Sequence, residues 1–269
     1  KLVRSNVQRG CAGLDRFVKL VSQQLRSAGN VRREDVLLRE VGTAFGSEQN
    51  TTNQTLHNKL RFLLEVSHQF SFTNDTDHFY SYWYLHDRDK KRAVSFINKV
   101  LNAWNSKQGL QNHIATAFAA VSKGMGLDEA TALNYAAISK DIAMNCYGDL
   151  GPSDSGEINP GTAREWAYLV LKKEAHPIHF TELAEMISKL KSAPVHAPTV
   201  HNELIKDSSF VLVGKGTYSL REFGIIPGTA REVIVHHLKK HGPLKPREII
   251  GFVAKDRIFK ENTILINLQ

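Results

Sequence analysis

The hexapeptide PGTARE stands at Pro160–Glu165 and returns unchanged at Pro227–Glu232. Self-similarity at a fixed period is the sequence signature of a duplicated structural unit. Apolar residues follow each copy at helical spacing, with Trp166, Leu169 and Val170 after the first. Proline suits the edge of a helix, and Thr and Glu suit its opening turn. The repeat therefore predicts two copies of one helical module, each led in by a PGTARE segment.

The two copies stay parallel beyond this lead-in. Each continues with a proline-containing turn, a second short helical pattern and a third one, APTVHNELI (197–205) or ENTILINLQ (261–269). In the first copy we predict that the third helix starts at Thr199, after Pro198. The run FVLVGKGTYSL (210–220) then has the apolar segments and the Gly-Lys-Gly turn of a β-hairpin. Three helices and a hairpin are the plan of a winged helix-turn-helix, with the third helix for recognition and the hairpin as wing.

The same pattern occurs twice more, upstream of the PGTARE copies. TLHNKL (55–60) matches TVHNEL (199–204), and TALNYA (131–136) is a weaker match. We therefore predict a mainly α protein with small β-hairpins (α+β), built of tandem winged helix-turn-helix modules. Their bounds are 11–88, 89–158 (degenerate), 159–224 and 225–269, and the fourth stops where its wing should begin. We expect the chain to be part of a longer protein, since it also begins without Met.

Composition and charge narrow the classes of partner. With 42% hydrophobic and 23% charged residues the chain is globular, and no apolar run approaches the ~20 residues that cross a bilayer. The two cysteines, Cys11 and Cys146, form no CxxC pair, which favours a reduced compartment. The net charge of +8 is concentrated in residues 1–40 (+5) and 227–269 (+4). The positive charge predicts a polyanionic partner. The cysteines predict a cytoplasmic protein, and the lack of a long apolar run predicts no membrane contact.

The third module resembles a known family. The stretches HPIHFTELAEMI (176–187) and TVHNELIKDSSFVLVGKGTYSLREFG (199–224) resemble the HARE helix-turn-helix, a winged-helix domain. Such domains occur in the RNA polymerase delta subunit and in bacterial sigma-factor-like proteins, where they follow a region-4 segment that this chain lacks. The resemblance implies a bacterial, nucleoid-associated transcription protein. Its expected partners are double-stranded DNA and RNA polymerase or other transcription proteins, and it supplies no catalytic residue.

Polar residues on the third helices, the wing and the basic ends are the predicted DNA contacts. Asn and Gln pair with adenine and Arg or Lys with guanine, while a lysine at a wing tip contacts phosphate. The predicted residues are Arg32, Arg33, Gln54, His57, Asn58, Lys59, Arg61, His196, Thr199, His201, Asn202, Lys215, Lys245, Arg247, Lys260 and Asn262. The recurring His-Asn pairs at 57–58 and 201–202 have a structural alternative, in which they pin the helix to the preceding turn. We favour this alternative for those positions, because base contacts should differ between modules.

Other patterns are weaker indications of function. The aromatic run 79–84 offers a base-stacking platform or, as we favour, the buried face of a hairpin and its interface with the next module. The third helix of the second module, DEATALNYAAISKDI (128–142), has one lysine and three acids, which predicts a spacer or protein-contact role. The histidines lack the partners of a metal site, and GKGT lacks P-loop spacing. No nucleophile signature is present, so we predict no enzyme activity, no cofactor and no small-molecule substrate.

Two functions remain open at this point. The first is a transcription-related DNA-binding region that docks on duplex DNA through third helices, wings and basic ends. The second is a protein-interaction array that contacts RNA polymerase or a transcription regulator, with little direct DNA contact. Winged helices serve both purposes, so fold alone does not choose between them.

Overall fold

The structure is a computed structural model that describes residues 2–44, 53–105, 113–226, 228–257 and 259–268. It is mainly helical, with antiparallel sheets of two or three short strands, which confirms the predicted α+β class. The chain divides into two compact units, Lys1–Asp154 and Ser155–Gln269, here called the N-terminal and C-terminal units. The N-terminal unit thus takes in the first predicted module and nearly all of the second.

The first half of the N-terminal unit has the order helix, strand, helix, helix, hairpin. Its elements are α1 (Leu2–Ser27), β1 (Val31–Arg33), α2 (Glu34–Ala44), α3 (Asn53–Ser67), β2 (Ser71–Thr73) and β3 (Tyr82–Tyr84). The strands form one antiparallel sheet in the order β1-β3-β2, in which Trp83 stands opposite Arg32 on one side and Phe72 on the other. Phe17, Leu37 and Leu64 pack with Trp83 in the core beneath this sheet.

The second half of the N-terminal unit repeats three helices and a hairpin. Its elements are α4 (Asp87–Asn105), α5 (His113–Gly124), α6 (Glu129–Ala136), β4 (Ile142–Met144) and β5 (Leu150–Pro152). Strands β4 and β5 pair with each other in a two-stranded sheet. The hairpin predicted for the second module, 89–158, is therefore present.

Strand β3 belongs to both halves of the N-terminal unit. Successive side chains of a strand point to opposite faces. Trp83 lies in the core of the first half, whereas Tyr82 and Tyr84 lie in the core of the second, packed with residues of α4 and α6. All three are at most 6% exposed. For Tyr82, Trp83 and Tyr84 this agrees with the interpretation of the aromatic run as a buried hairpin face, and it leaves these three rings no surface on which a base could stack. Tyr80 of the same run is 37% exposed.

The C-terminal unit begins with the same order as the first half of the N-terminal one. Its first elements are α7 (Ala163–Glu174), β6 (Ile178–His179), α8 (Phe180–Lys191), α9 (Ala197–Lys206), β7 (Phe210–Gly214) and β8 (Thr217–Leu220). The strand order β6-β8-β7 is equivalent to β1-β3-β2. Helix α9 begins at Ala197 and not at the predicted Thr199. Pro198 is accommodated in its first turn, where a missing N–H costs no hydrogen bond.

The last segment has three helices, α10 (Ala230–His241), α11 (Pro246–Asp256) and α12 (Glu261–Ile266). Val233, Ile249 and Ile264 form its small core. Among the described residues after 225, none is in a strand.

Both PGTARE copies form the start of a helix through a capping box. The Thr162 side chain accepts a hydrogen bond from the Glu165 backbone N–H, and the Glu165 carboxylate accepts one from the Thr162 N–H. Thr229 and Glu232 repeat this arrangement at α10. These bonds lower the pKa of both carboxyl groups. Pro160 precedes the N-cap by two residues, so it lies outside the helix and not near its first position as predicted; Pro227 lies outside the described residues.

Candidate nucleic-acid interface

Helix α9 presents one polar face to solvent. Val200 and Leu204 are buried at 0% and 2% exposure and fix the helix to its core. Thr199, Asn202 and Lys206 are exposed on the other side, and Ile205 among them is 62% exposed. The spacing of three and four residues puts the exposed residues on one face. The predicted contact residues Thr199 and Asn202 therefore share a surface.

The His201-Asn202 pair separates into a packed member and an exposed one. His201 is half-buried, stacked on Phe180 with ring centroids 4.3 Å apart and edge-on to Tyr218 at 5.7 Å. His201 thus has a packing role, but against Phe180 of α8 and Tyr218 of β8 and not against the turn before α9, whereas Asn202 is exposed. His196 is also exposed at the N-cap of α9, and its Nδ1 lies 3.5 Å from the Thr199 hydroxyl.

The β7–β8 hairpin, next to α9, also packs against Phe180. Its turn has Lys215 exposed and Gly216 at a φ of 65°. The Phe180 backbone N–H donates to the Gly216 carbonyl at 2.9 Å. A Cβ at Gly216 would stand 2.5 Å from His179 Nε2 and 3.0 Å from the Phe180 ring. Phe180 therefore supports both His201 of α9 and the hairpin tip, which gives Lys215 a fixed place relative to α9.

Helix α3 has a mixed exposed face. Asn58 and Lys59 are exposed, and so are Phe62 (62%) and Val66 (47%). Apolar side chains on this face were not anticipated from the sequence, although their spacing relative to Asn58 places them there. Gln54 and His57 belong to α3, but their side chains lie outside the described residues.

The arginines predicted to contact DNA in the first half are engaged with carboxylates. Arg32 donates to both Glu40 oxygens and, at 2.6 Å, to Asn134 Oδ1. Arg33 donates to both Asp35 oxygens at 2.5 and 2.6 Å, which raises its pKa and lowers that of Asp35. A sequence shows the charge of these arginines but not the acids that neutralise it.

Arg61 is also engaged, although its side chain is less buried. Its guanidinium lies 3.2 Å from Glu65 and 3.6 Å from Glu34, over the Phe72 ring. Salt bridges at such positions are weak, but they offset the local positive charge. Arg32, Arg33 and Arg61 thus remain predicted contacts with partners that DNA would have to replace.

Helix α6, the third helix of the second half, is buried inside the N-terminal unit. Asn134, which aligns with Asn58 and Asn202, is 7% exposed. Its amide donates to the carbonyls of Ala28 and Val31, both at 2.5 Å. Tyr135 adds a hydrogen bond from its hydroxyl to the Gly29 carbonyl at 2.8 Å. This helix therefore binds the turn between α1 and β1 and has no polar face for a nucleic acid.

The last segment is rich in exposed basic residues. Lys245 and Lys260 are the N-cap residues of α11 and α12, and Arg247 and Asn262 follow them on the surface. The Lys245 backbone N–H donates to Glu248 at 2.7 Å, which leaves the ammonium group outside this cap. The short helix α12 also exposes Ile266 at 68%.

The histidines of α10 pack as aromatic rings. His241 is stacked on Phe252 with centroids 4.5 Å apart, and His237 lies 5.4 Å from the same ring. Among the residues that the structure describes, no group of three or more His, Cys, Asp or Glu is placed to hold a metal ion. In the same residues no helix is long and apolar enough to span a membrane.

The two compact units have the same net charge. Residues 1–154 contain 19 Lys/Arg and 15 Asp/Glu, and residues 155–269 contain 16 and 12, so each has a net charge of +4.

Comparison of the chain with protein-family models and with curated proteins finds no match. The candidate interface therefore rests on its own geometry and charge.

Proposed function

We propose that this chain is a non-enzymatic, transcription-related DNA-binding region whose segments are tandem winged helices. The equivalent strand orders β1-β3-β2 and β6-β8-β7 and the order helix, strand, helix, helix, hairpin support this proposal. In helix-turn-helix proteins the recognition helix contacts base edges in the major groove through its N-terminal residues.

One observation supports this function above the others: the exposed polar face of α9 beside a fixed hairpin tip. Thr199 and Asn202 lie near the start of α9, where base contacts are made, and Lys215 at the tip is the phosphate contact. An exposed asparagine is suited to the paired donor and acceptor of adenine. We further propose α3 and the basic end at 245–262 as contacts, and assign α6 a structural role.

Fluorescence anisotropy with a labelled random-sequence duplex tests the proposal. Affinity should fall steeply between about 50 and 200 mM salt, because bound lysines and arginines release counterions from DNA. Lys215→Ala should lower the slope of log affinity against log salt by about 0.9. Lys123→Ala is the matched control, since Lys123 is exposed at the end of α5, outside the proposed contacts. Absence of binding at about 50 mM would refute the proposal.

A second candidate function is docking of RNA polymerase or another transcription protein on the third helices. Phe62 and Ile205 are each 62% exposed and Ile266 is 68% exposed, all on helices in this position. Aromatic and apolar residues dominate the binding energy of protein interfaces. Capture of purified RNA polymerase by the chain, lost in Phe62→Ala and retained in Lys215→Ala, would support this function. Capture that both variants retain would count against it.

A further inference from the structure

A basic and polar stripe runs along helix α4 of the N-terminal unit. Its members recur at spacings of three and four residues on one side of the helix: Arg88, Lys91, Ser95, Asn98, Lys99 and Asn102. From Arg88 to Asn102 the stripe is about 21 Å long at 1.5 Å per residue. The acids of α4 are Asp87 and Asp89, both in its first turn, so no carboxylate occurs from residue 90 to residue 105.

The core holds this stripe in place. Ala93, Phe96, Ile97 and Val100 lie on the other side of α4 and are at most 1% exposed. Four buried apolar residues over two turns fix the rotation of the helix about its axis. The polar side chains therefore face solvent from a rigid element.

Two lysines of the stripe take part in no ion pair with a described residue, although the exposed Asp87 lies one helical turn before one of them, Lys91. Among the described residues, Lys91 and Lys99 have no hydrogen bond or ion pair. Lys90 and Arg92, off the stripe, are engaged: Lys90 lies over the Tyr84 ring, and Arg92 donates to the Met125 carbonyl at 2.9 Å. The contrast with Arg32 and Arg33 is direct, because those cations are already neutralised by carboxylates.

We propose that this face of α4 is a second DNA contact surface that binds the phosphate backbone through Lys91 and Lys99. The inference rests on the DNA binding proposed above. It gives the second half of the N-terminal unit a DNA contact, which its buried third helix, α6, does not provide. Serine and asparagine also donate to phosphate oxygens, and such contacts position a protein without reading sequence. In the first turn Arg88 lies 4.0 Å from Asp89, but beyond it the row of donors contains no acid. Such a row complements a phosphate backbone, which has only acceptors and negative charge.

The test uses the whole chain with the double substitution Lys91→Ala/Lys99→Ala. Loss of two phosphate contacts should lower the slope of log affinity against log salt by about 1.8. The loss of affinity should be equal on duplexes of different sequence, because phosphate contacts are independent of sequence. Lys123→Ala/Lys189→Ala removes the same charge from exposed positions outside the stripe and outside the proposed contacts. Lys91→Arg/Lys99→Arg should keep the slope.

The outcomes separate this inference from the proposed function. Binding that weakens in Lys215→Ala but keeps its slope in Lys91→Ala/Lys99→Ala overturns the α4 surface and leaves DNA binding by α9 intact. An equal loss of slope in the Lys123→Ala/Lys189→Ala control overturns it too, since net charge alone then explains the effect. If the unsubstituted chain binds no DNA, both proposals fall together.

Discussion

Asn134 joins two segments of the chain through one amide group. Its two N–H groups satisfy the carbonyls of Ala28 and Val31, and its oxygen accepts from Arg32. Substitution by alanine would leave the carbonyls of Ala28 and Val31 without this partner, at a cost of about 1–3 kcal/mol for each unsatisfied group, whereas Arg32 would keep Glu40. We expect Asn134→Ala to lower the free energy of unfolding of the N-terminal unit by at least this cost of one group, about 1–3 kcal/mol. Urea denaturation measures the change.

The aligned, exposed Asn202 provides the control for this substitution. Surface substitutions of this kind change stability by about 0.5 kcal/mol or less. Asn202→Ala should therefore leave unfolding nearly unchanged while reducing DNA affinity. Equal destabilisation by the two substitutions would contradict the structural role assigned to Asn134.

The capping box at Thr162 and Glu165 makes a pH-dependent contribution to stability. Hydrogen bonds from the backbone of Thr162 and then Gly161 hold the pKa of Glu165 below its ordinary value. A depressed folded-state pKa stabilises the fold above the unfolded pKa of about 4.3 and loses this effect as pH falls. We expect Glu165→Ala to destabilise the protein at about pH 7 and to do so by less at about pH 3. Thermal unfolding at both pH values measures this, with exposed Glu185→Ala as the control.

At the scale of elements, Gly216 connects the hairpin to the rest of its unit. An alanine there would meet both a left-handed φ of 65° and the rings of His179 and Phe180. Gly224 has a similar φ of 74°, but nothing lies within 4 Å of a Cβ built on it. The pair thus separates backbone strain, about 1–2 kcal/mol in both cases, from steric clash.

We expect Gly216→Ala to destabilise the protein more than Gly224→Ala, by about 1–3 kcal/mol, a typical cost of overpacking. It should also weaken DNA binding, because the hairpin must move away from Phe180. Chemical denaturation and anisotropy of both variants provide the comparison. Indistinguishable stabilities would show that the hairpin tip is not held by these rings.

The sequence predicted those elements whose signals are local. Capping residues, the Gly-Lys-Gly turn and helical spacing depend on neighbours within a few positions, and these predictions hold at α7, α10 and the β7–β8 hairpin. Strands β1 and β6 were missed, because three and two residues are too few to show alternation. Burial of Asn134 and exposure of Asn202 follow from tertiary neighbours, which one shared motif does not encode. The sequence shows that α4 has no acid from residue 90 to residue 105, but it does not show which basic residues of the stripe lack an ion-pair partner.

The N-terminal and C-terminal units differ in how their halves share a core. In the N-terminal unit β3 contributes Trp83 to one hydrophobic cluster and Tyr82 and Tyr84 to the other. In the C-terminal unit no described helix or strand contributes residues to both clusters, which lie within 166–220 and 226–268. A perturbation of one half should therefore reach the other half in the N-terminal unit alone.

The matched substitutions Ile97→Val and Ile234→Val test this difference in cooperativity. Both isoleucines are buried, at 1% and 3% exposure, and loss of one methylene costs about 1 kcal/mol. This cost raises the population of the unfolded state about fivefold. By native-state hydrogen exchange, Ile97→Val should speed the slowest amides of α2 as well as those of α4, because strand β3 contributes Tyr82 and Tyr84 to one cluster and Trp83 to the other. Ile234→Val should speed α10 and leave α7 at its original rate. If Ile97→Val accelerated amide exchange only in α4, strand β3 would contribute to both clusters without coupling their stabilities. The two halves would then unfold as separate cooperative units.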